Sequence, residues 1–116
     1  MKKSLSFALL LSLGAFSQLS LAEQTLRFGV DPTFPPFESK ASDGSLQGFD
    51  IELGNAICAQ AKVTCQWVQI GFDSSIPALQ ARKFDAILSA MSMTEKRREQ
   101  VDFSAMIYNT PSALLT

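Results

Sequence analysis

The chain has 116 residues, 47% of them hydrophobic and 18% charged, with a net charge of −1 and no histidine. Lys2 and Lys3, two of its ten basic residues, fall in a leader-like N-terminus, so the remainder is more acidic than the whole. That balance argues against nucleic acid or an anionic membrane as the main partner, and two cysteines without histidine leave a zinc site short of ligands.

Residues 1–22 read as a cleavable secretory signal peptide. Lys2 and Lys3 form its basic region, Leu5 to Leu13 its short apolar core, and Ser20-Leu21-Ala22 a small-x-small cleavage site. The apolar run is too short to span a bilayer, and Glu23 rather than cysteine follows Ala22, which argues against a lipid anchor. The expected location is periplasmic. Residues 23–116 are enough for one modest core and therefore one domain at most. Export makes a disulfide the expected state of Cys58 and Cys65, which lack the C-x-x-C spacing of a redox pair. Closing so short a loop is worth about 2.5 kcal/mol in the chain-entropy view.

From Leu26 to Val30 the chain alternates apolar with small or polar residues, which predicts a first strand. The loop Asp31-Pro32-Thr33-Phe34-Pro35-Pro36-Phe37 carries three prolines that forbid helix. Ser42-Asp43-Gly44-Ser45 is a turn at the tip of a hairpin. Asp50 is placed to cap a helix over Ile51 to Ala61, packed through Leu53, Ile57 and Ala61. A strand from Cys65 to Ile70 follows, with Trp67 turned to the core. Asp73 is placed to cap a second helix, Ser74 to Lys83, with Pro77 in its first turn and Ser74 and Ser75 in structural roles. Phe84 to Leu88 reads as a short buried strand, and Thr94 caps a third helix from Glu95 to about Gln100. Val101 to Phe103 and Ser112 to Leu115 read as extended. The order β-α-β-α-β-α-β predicts an α/β sandwich on a largely parallel sheet, with ligands at the carboxyl ends of the strands.

Ala86-Ile87-Leu88-Ser89-Ala90-Met91-Ser92-Met93-Thr94-Glu95-Lys96-Arg97 holds the most specific chemistry. An apolar strand enters a serine-bearing loop and then a helix with an arginine in its first turn. Free backbone N–H groups and a guanidinium converging there suit a carboxylate. Lys96 and Arg98, beside Arg97, are expected to be solvated.

Six blocks in order resemble the periplasmic solute-binding proteins of polar amino acid ABC transporters, in particular the branch binding lysine, arginine, ornithine and histidine. They are Asp31 to Glu38, Gly48 to Ile51, Phe72 to Leu79, Asp85 to Ile87, Met93 to Arg97 and Val101 to Ser104. Cys58 and Cys65 fall where that branch has its disulfide. The resemblance implies a type II periplasmic-binding-protein-like fold, of which residues 23–116 make the first part of lobe 1. The second lobe is missing, so the chain is expected to be a fragment that binds weakly if at all.

By resemblance, Arg97 clamps the ligand α-carboxylate with help from the Ser92 N–H, and the Ser89 carbonyl takes the α-ammonium. Ala90 stands where the branch commonly has serine, which removes one ammonium contact. Phe34 and Phe72 match the positions that sandwich the ligand side chain, and Asp31 the position that meets its cationic end. That set implies a cationic L-amino acid, arginine before lysine, ornithine or histidine, since a planar guanidinium can stack between rings while pairing with Asp31. The implied partner is the membrane permease of an ABC transporter, with the receptor a monomer.

No activated nucleophile and no metal or cofactor set is visible, so no enzyme chemistry is expected. The competing readings are a ligand-sensing domain of a larger receptor or cell-wall enzyme, and a periplasmic cyclohexadienyl- or arogenate-type dehydratase on the same fold.

Overall fold

The computed structural model describes residues 22–115. All of the proposed leader except Ala22 therefore lies outside the described residues.

Six residues rich in β-branched and apolar types form β1 (Thr25–Val30), which becomes the centre of a three-stranded parallel sheet. Its neighbours are β5 (Thr64–Gln69), paired from Thr25↔Thr64 to Val30↔Gln69, and β6 (Ala86–Ile87), paired at Phe28 and Gly29. After Val30 the chain turns through Asp31 into a small antiparallel sheet of β2 (Thr33–Phe34), β3 (Glu38–Lys40) and β4 (Leu46–Gln47). The β3–β4 hairpin turns through residues 41–45, as the sequence predicts, with Asp43 Oδ1 accepting from the Ser45 N–H at 2.9 Å.

Helix α1 (Phe49–Ala61) crosses from β4 to β5 and packs against β5. It starts two residues earlier than expected, and Asp50 does not cap it. Gly48 holds the cap position, while the Asp50 side chain is fully buried and turned inward. The packing face also differs from the one read off the sequence. Ile51, Gly54 and Cys58 are buried with Leu53 beside them, whereas Ile57 is exposed. Phe28, Cys58 and Leu88 form the core with Leu26, Trp67 and Ala86 packed around them. The Phe28 and Trp67 rings lie 5.1 Å apart, and Trp67 Nε1 donates to Asn55 Oδ1 on α1. The Cys58–Cys65 disulfide joins the last turns of α1 to β5.

Helix α2 (Phe72–Gln80) returns the chain across β1 to β6, and Ala78 buries against the sheet. It begins before Asp73, so Asp73 is a first-turn residue rather than the cap, and Pro77 lies beyond the first turn. Proline there removes one internal bond. The carbonyl left without its donor belongs to solvent-exposed Asp73, where water can serve it. Ser75 is structural as expected, its hydroxyl donating to the Phe72 carbonyl at 2.6 Å. Helix α3 (Glu95–Arg98) is a single turn capped by Thr94, whose side chain accepts from the Arg97 N–H. Val101–Phe103 and Ser112–Leu115 form no strand, because no neighbouring strand among the described residues takes up their backbone groups.

Gly54 has no room for a side chain. A Cβ there would meet the Trp67 ring at 2.5 Å and Leu88 Cδ2 at 3.1 Å. Gly54→Ala is therefore expected to destabilise the fold by about 1–3 kcal/mol in a urea melt, despite alanine's better helix propensity. An unchanged or raised midpoint would contradict this packing of α1 on the sheet.

Candidate functional site

The sheet places the site. The chain leaves β1 through α1 for β5 on one flank and crosses back through α2 to β6 on the other, so the two connections diverge across β1 and the carboxyl ends of β1 and β6 lie side by side. Such a divergence opens a crevice. Asp31 follows the end of β1, and Leu88-Ser89-Ala90 follows β6. A cleft of about 240 Å³ opens there, lined by Asp31, Thr33, Phe34, Glu38, Phe72, Ser89 and Ala90.

Asp31 serves the fold as well as the cleft. Its Oδ2 accepts from the Phe72 N–H at 2.8 Å, which satisfies a free donor at the start of α2, and its Oδ1 accepts from the Thr33 hydroxyl. A carboxylate has acceptor capacity beyond two bonds, so Asp31 can still receive a cationic donor from the cleft. Phe34 is 54% exposed and stacks on Phe37 with centroids 5.6 Å apart, leaving much of its ring open. Phe72 is half-buried and lies under Arg97, whose guanidinium carbon is 5.2 Å from the ring centroid.

Ser89 is buried, and its side chain links three elements. Its hydroxyl donates to Glu38 Oε1 at 3.1 Å and accepts from the Asp31 N–H at 2.9 Å. Ala90 adopts a left-handed backbone at φ 48°, strained for a residue with a Cβ. Its N–H is anchored on Asp50 Oδ2 at 2.8 Å. The position that lacks a hydroxyl is thus fixed through its backbone.

Five of the seven sequence-predicted ligand residues share the cleft: Asp31, Phe34, Phe72, Ser89 and Ala90. Ser92 and Arg97 do not line it. Arg97 Nη1 donates to both the Ser92 carbonyl and the Ser92 hydroxyl at 2.9 Å, closing the loop before α3. Arg97 has no carboxylate partner among the described residues, and its stacking on Phe72 ties it to the cleft. Because α3 is one turn long, a helix dipole contributes little here, and the guanidinium carries the positive field.

Glu38 and Tyr108 escaped the sequence reading, which placed Asp50 as a helix cap rather than beneath the site. Glu38 lines the cleft yet is 1% exposed, and its Oε2 has no hydrogen-bond partner among the described residues. Loss of water, first, and the neighbouring Asp50 together push its pKa up to about 8, against the opposing Ser89 hydroxyl. Asp50 gathers the Ala90 N–H and the Tyr108 hydroxyl, the latter at 3.3 Å. Tyr108 stacks on Phe37 with centroids 4.8 Å apart and meets Phe49 edge-on, and burial with the nearby Asp50 charge pushes its phenol upward. Glu38 lay in a quoted block but reads as an ordinary polar strand residue. Only its place between Phe37 and the hairpin hints at burial.

Residues 26–116 match the bacterial extracellular solute-binding proteins, family 3, and the chain belongs to that family. It is 49% identical over 102 residues to an L-arginine-binding protein of Pseudomonas aeruginosa, covering 84% of this chain and 39% of that one. It is 44% identical over 117 residues to the lysine/arginine/ornithine-binding periplasmic protein of Escherichia coli, covering 99% of this chain and 45% of that one. These relatives are binding proteins rather than enzymes, and this chain spans less than half the length of either. The solved structures it resembles are type II periplasmic binding proteins. Among them is a mutant of the arginine-bound form of domain 1 of TmArgBP, at TM-score 0.70 and 36% identity, covering 72% of this chain and 65% of that one.

Ser89→Ala would leave both Glu38 Oε1 and the Asp31 N–H without their shared partner. We expect a loss of about 1–3 kcal/mol in urea denaturation, larger than for an exposed serine such as Ser104. A change below about 0.5 kcal/mol would show that Ser89 does not hold the two loops together.

Proposed function

We propose that the chain is the first part of lobe 1 of a periplasmic receptor for a cationic L-amino acid, with arginine the preferred ligand. The observation that carries this reading is one cleft combining Asp31 with the Phe34 and Phe72 rings, beside an Arg97 guanidinium that lacks a carboxylate partner among the described residues. The arginine- and lysine/arginine/ornithine-binding relatives support the same ligand class.

The ligand would be held by complementary charge at both ends. Arg97 Nη1 is engaged by Ser92, so the Nε and Nη2 edge is the one free to take an α-carboxylate bidentately. The Ser92 N–H adds to that carboxylate, and the Ser89 carbonyl takes the α-ammonium. A guanidinium side chain would lie against Phe34 and Phe72, each contact worth about 0.5–2 kcal/mol by desolvation. Its end would reach Asp31. Ligands without that cation leave Asp31 and the rings unpaid, which is the basis of discrimination. The complex would then present arginine to an ABC permease, with the receptor acting as a monomer after removal of residues 1–22 as a leader.

A single lobe leaves the bound ligand open to water, so binding by this chain alone is expected to be weak. The arginine-bound domain 1 among the similar structures makes direct calorimetry worthwhile. L-arginine titrated into the chain should release heat saturably, while L-glutamate and L-leucine should not. Asp31→Asn should weaken arginine binding by about tenfold or more, the effect of losing one charged hydrogen bond. Equal arginine affinity in parent and variant would remove Asp31 from the site.

A further inference from the structure

Glu38 presents a problem that its surroundings do not solve with the usual donors. It is 1% exposed, Ser89 satisfies Oε1, and Oε2 has no partner among the described residues. The Asp50 carboxyl is buried beside it: the Asp50 N–H donates to the carbonyl of Phe37, the residue before Glu38, and Asp50 Oδ2 accepts from the N–H of Ala90, the residue after the Ser89 that bonds Glu38. Two ionised carboxylates facing each other without water would repel strongly, and neither carries a hydrogen to offer. A single proton removes both difficulties. It supplies the missing donor and cancels one buried charge.

We propose that Glu38 and Asp50 retain one proton between them beneath the cleft, and that this acid–carboxylate pair positions the ligand loops. The inference rests on the cationic amino acid reading only for its effect on binding.

The pair's outer contacts give it leverage. Glu38 Oε1 receives the Ser89 hydroxyl, which in turn receives the Asp31 N–H. Asp50 Oδ2 receives the N–H of Ala90, holding that residue in its left-handed conformation. Asp50 also receives the Tyr108 hydroxyl. Three cleft residues therefore hang on two carboxyl groups. The titratable and polar groups facing Glu38 are Asp50 from α1, Asp31 from the loop after β1, Ser89 from the loop after β6, and the Tyr108 phenol. The two other acids oppose ionisation of Glu38, and the Ser89 hydroxyl opposes them only partly. The direction of the Glu38 shift, upward to about 8, agrees with the retained proton.

The sign of the pH effect follows. The folded chain holds the Glu38 proton up to about pH 8, whereas an unfolded glutamate releases it near 4.5. Between those values the folded state binds more protons, so stability falls as pH rises from about 4.5 to 8 and levels off above.

The test is a carboxyl carbon-13 NMR titration of the full chain without ligand, beside Glu38→Gln. Glutamine keeps an acceptor for Ser89 and offers a fixed donor to Asp50. The parent should show a Glu38 midpoint near 8, a value the glutamine variant cannot show. Its melting temperature should fall between pH 4.5 and 8 more steeply than that of Glu38→Gln. Glu38 titrating below pH 5 with the exposed carboxylates, or identical pH profiles for parent and variant, would overturn the proposal. In calorimetry, arginine affinity should decline through pH 8 in the parent and hold steady in Glu38→Gln. If arginine does not bind at any pH while the midpoint near 8 is found, the proton stands and the ligand reading fails. If arginine binds and Glu38 titrates normally, the ligand reading stands and the proton fails.

Discussion

The structure depends on how two buried carboxyl groups, Glu38 and Asp50, are satisfied in a small core. Each is removed from water, and each is served by backbone or hydroxyl groups of segments distant in sequence. Burying polar groups this deeply is tolerable only where their partners are fixed. The partners here are the loops that carry Asp31, Ser89 and Ala90. The cost of burial therefore stiffens the rim of the cleft, which a recognition site needs if only the right ligand is to pair with it.

The sheet supplies the other half of that stiffness. β1 is paired along its whole length with β5 and at two positions with β6, so the loops leaving β1 and β6 start from fixed points. The disulfide joins α1 to β5 on the far flank. Arg27 fastens β1 to the approach of β6 through its ion pair with Asp85 at 3.0 Å and its bonds to the Lys83 and Arg82 carbonyls. That pair is half exposed and its Coulomb energy small, yet five hydrogen bonds between the same two segments hold their register.

Much of this was legible in the sequence. Parallel order follows from strands alternating with helices, and the Asp31–Phe37 loop announces itself by its prolines and aromatics. Thr94 was readable as a cap because threonine before a charged turn has that local chemistry. Asp50 and Asp73 show where such reading stops. Both stand at the start of a helical pattern, and the cap is the last residue with non-helical backbone angles, which here is Gly48 or Gly71, two positions before each aspartate. Nothing local tells a capping aspartate from one turned into the core. Glu38 was hidden for the same reason, since its burial is set by Asp50, Ser89 and Asp31, none adjacent in sequence. Tyr108 was missed because its stacking on Phe37 and Phe49 is a long-range event. The unpaired segments beyond Gln100 read as strands by composition, but a strand exists only where another accepts its backbone bonds.

The central claim is that the cleft at the ends of β1 and β6 takes a cationic amino acid, with Arg97 at one end and Asp31 at the other. The most direct measurement is NMR chemical-shift mapping of the chain during addition of L-arginine. The account predicts that the shifts concentrate on Asp31, Phe34, Phe72, Ser89 to Ser92 and the Arg97 side chain, and spare the Phe37–Phe49–Tyr108 cluster. Shifts centred on that aromatic cluster, or spread evenly over the charged surface, would contradict it.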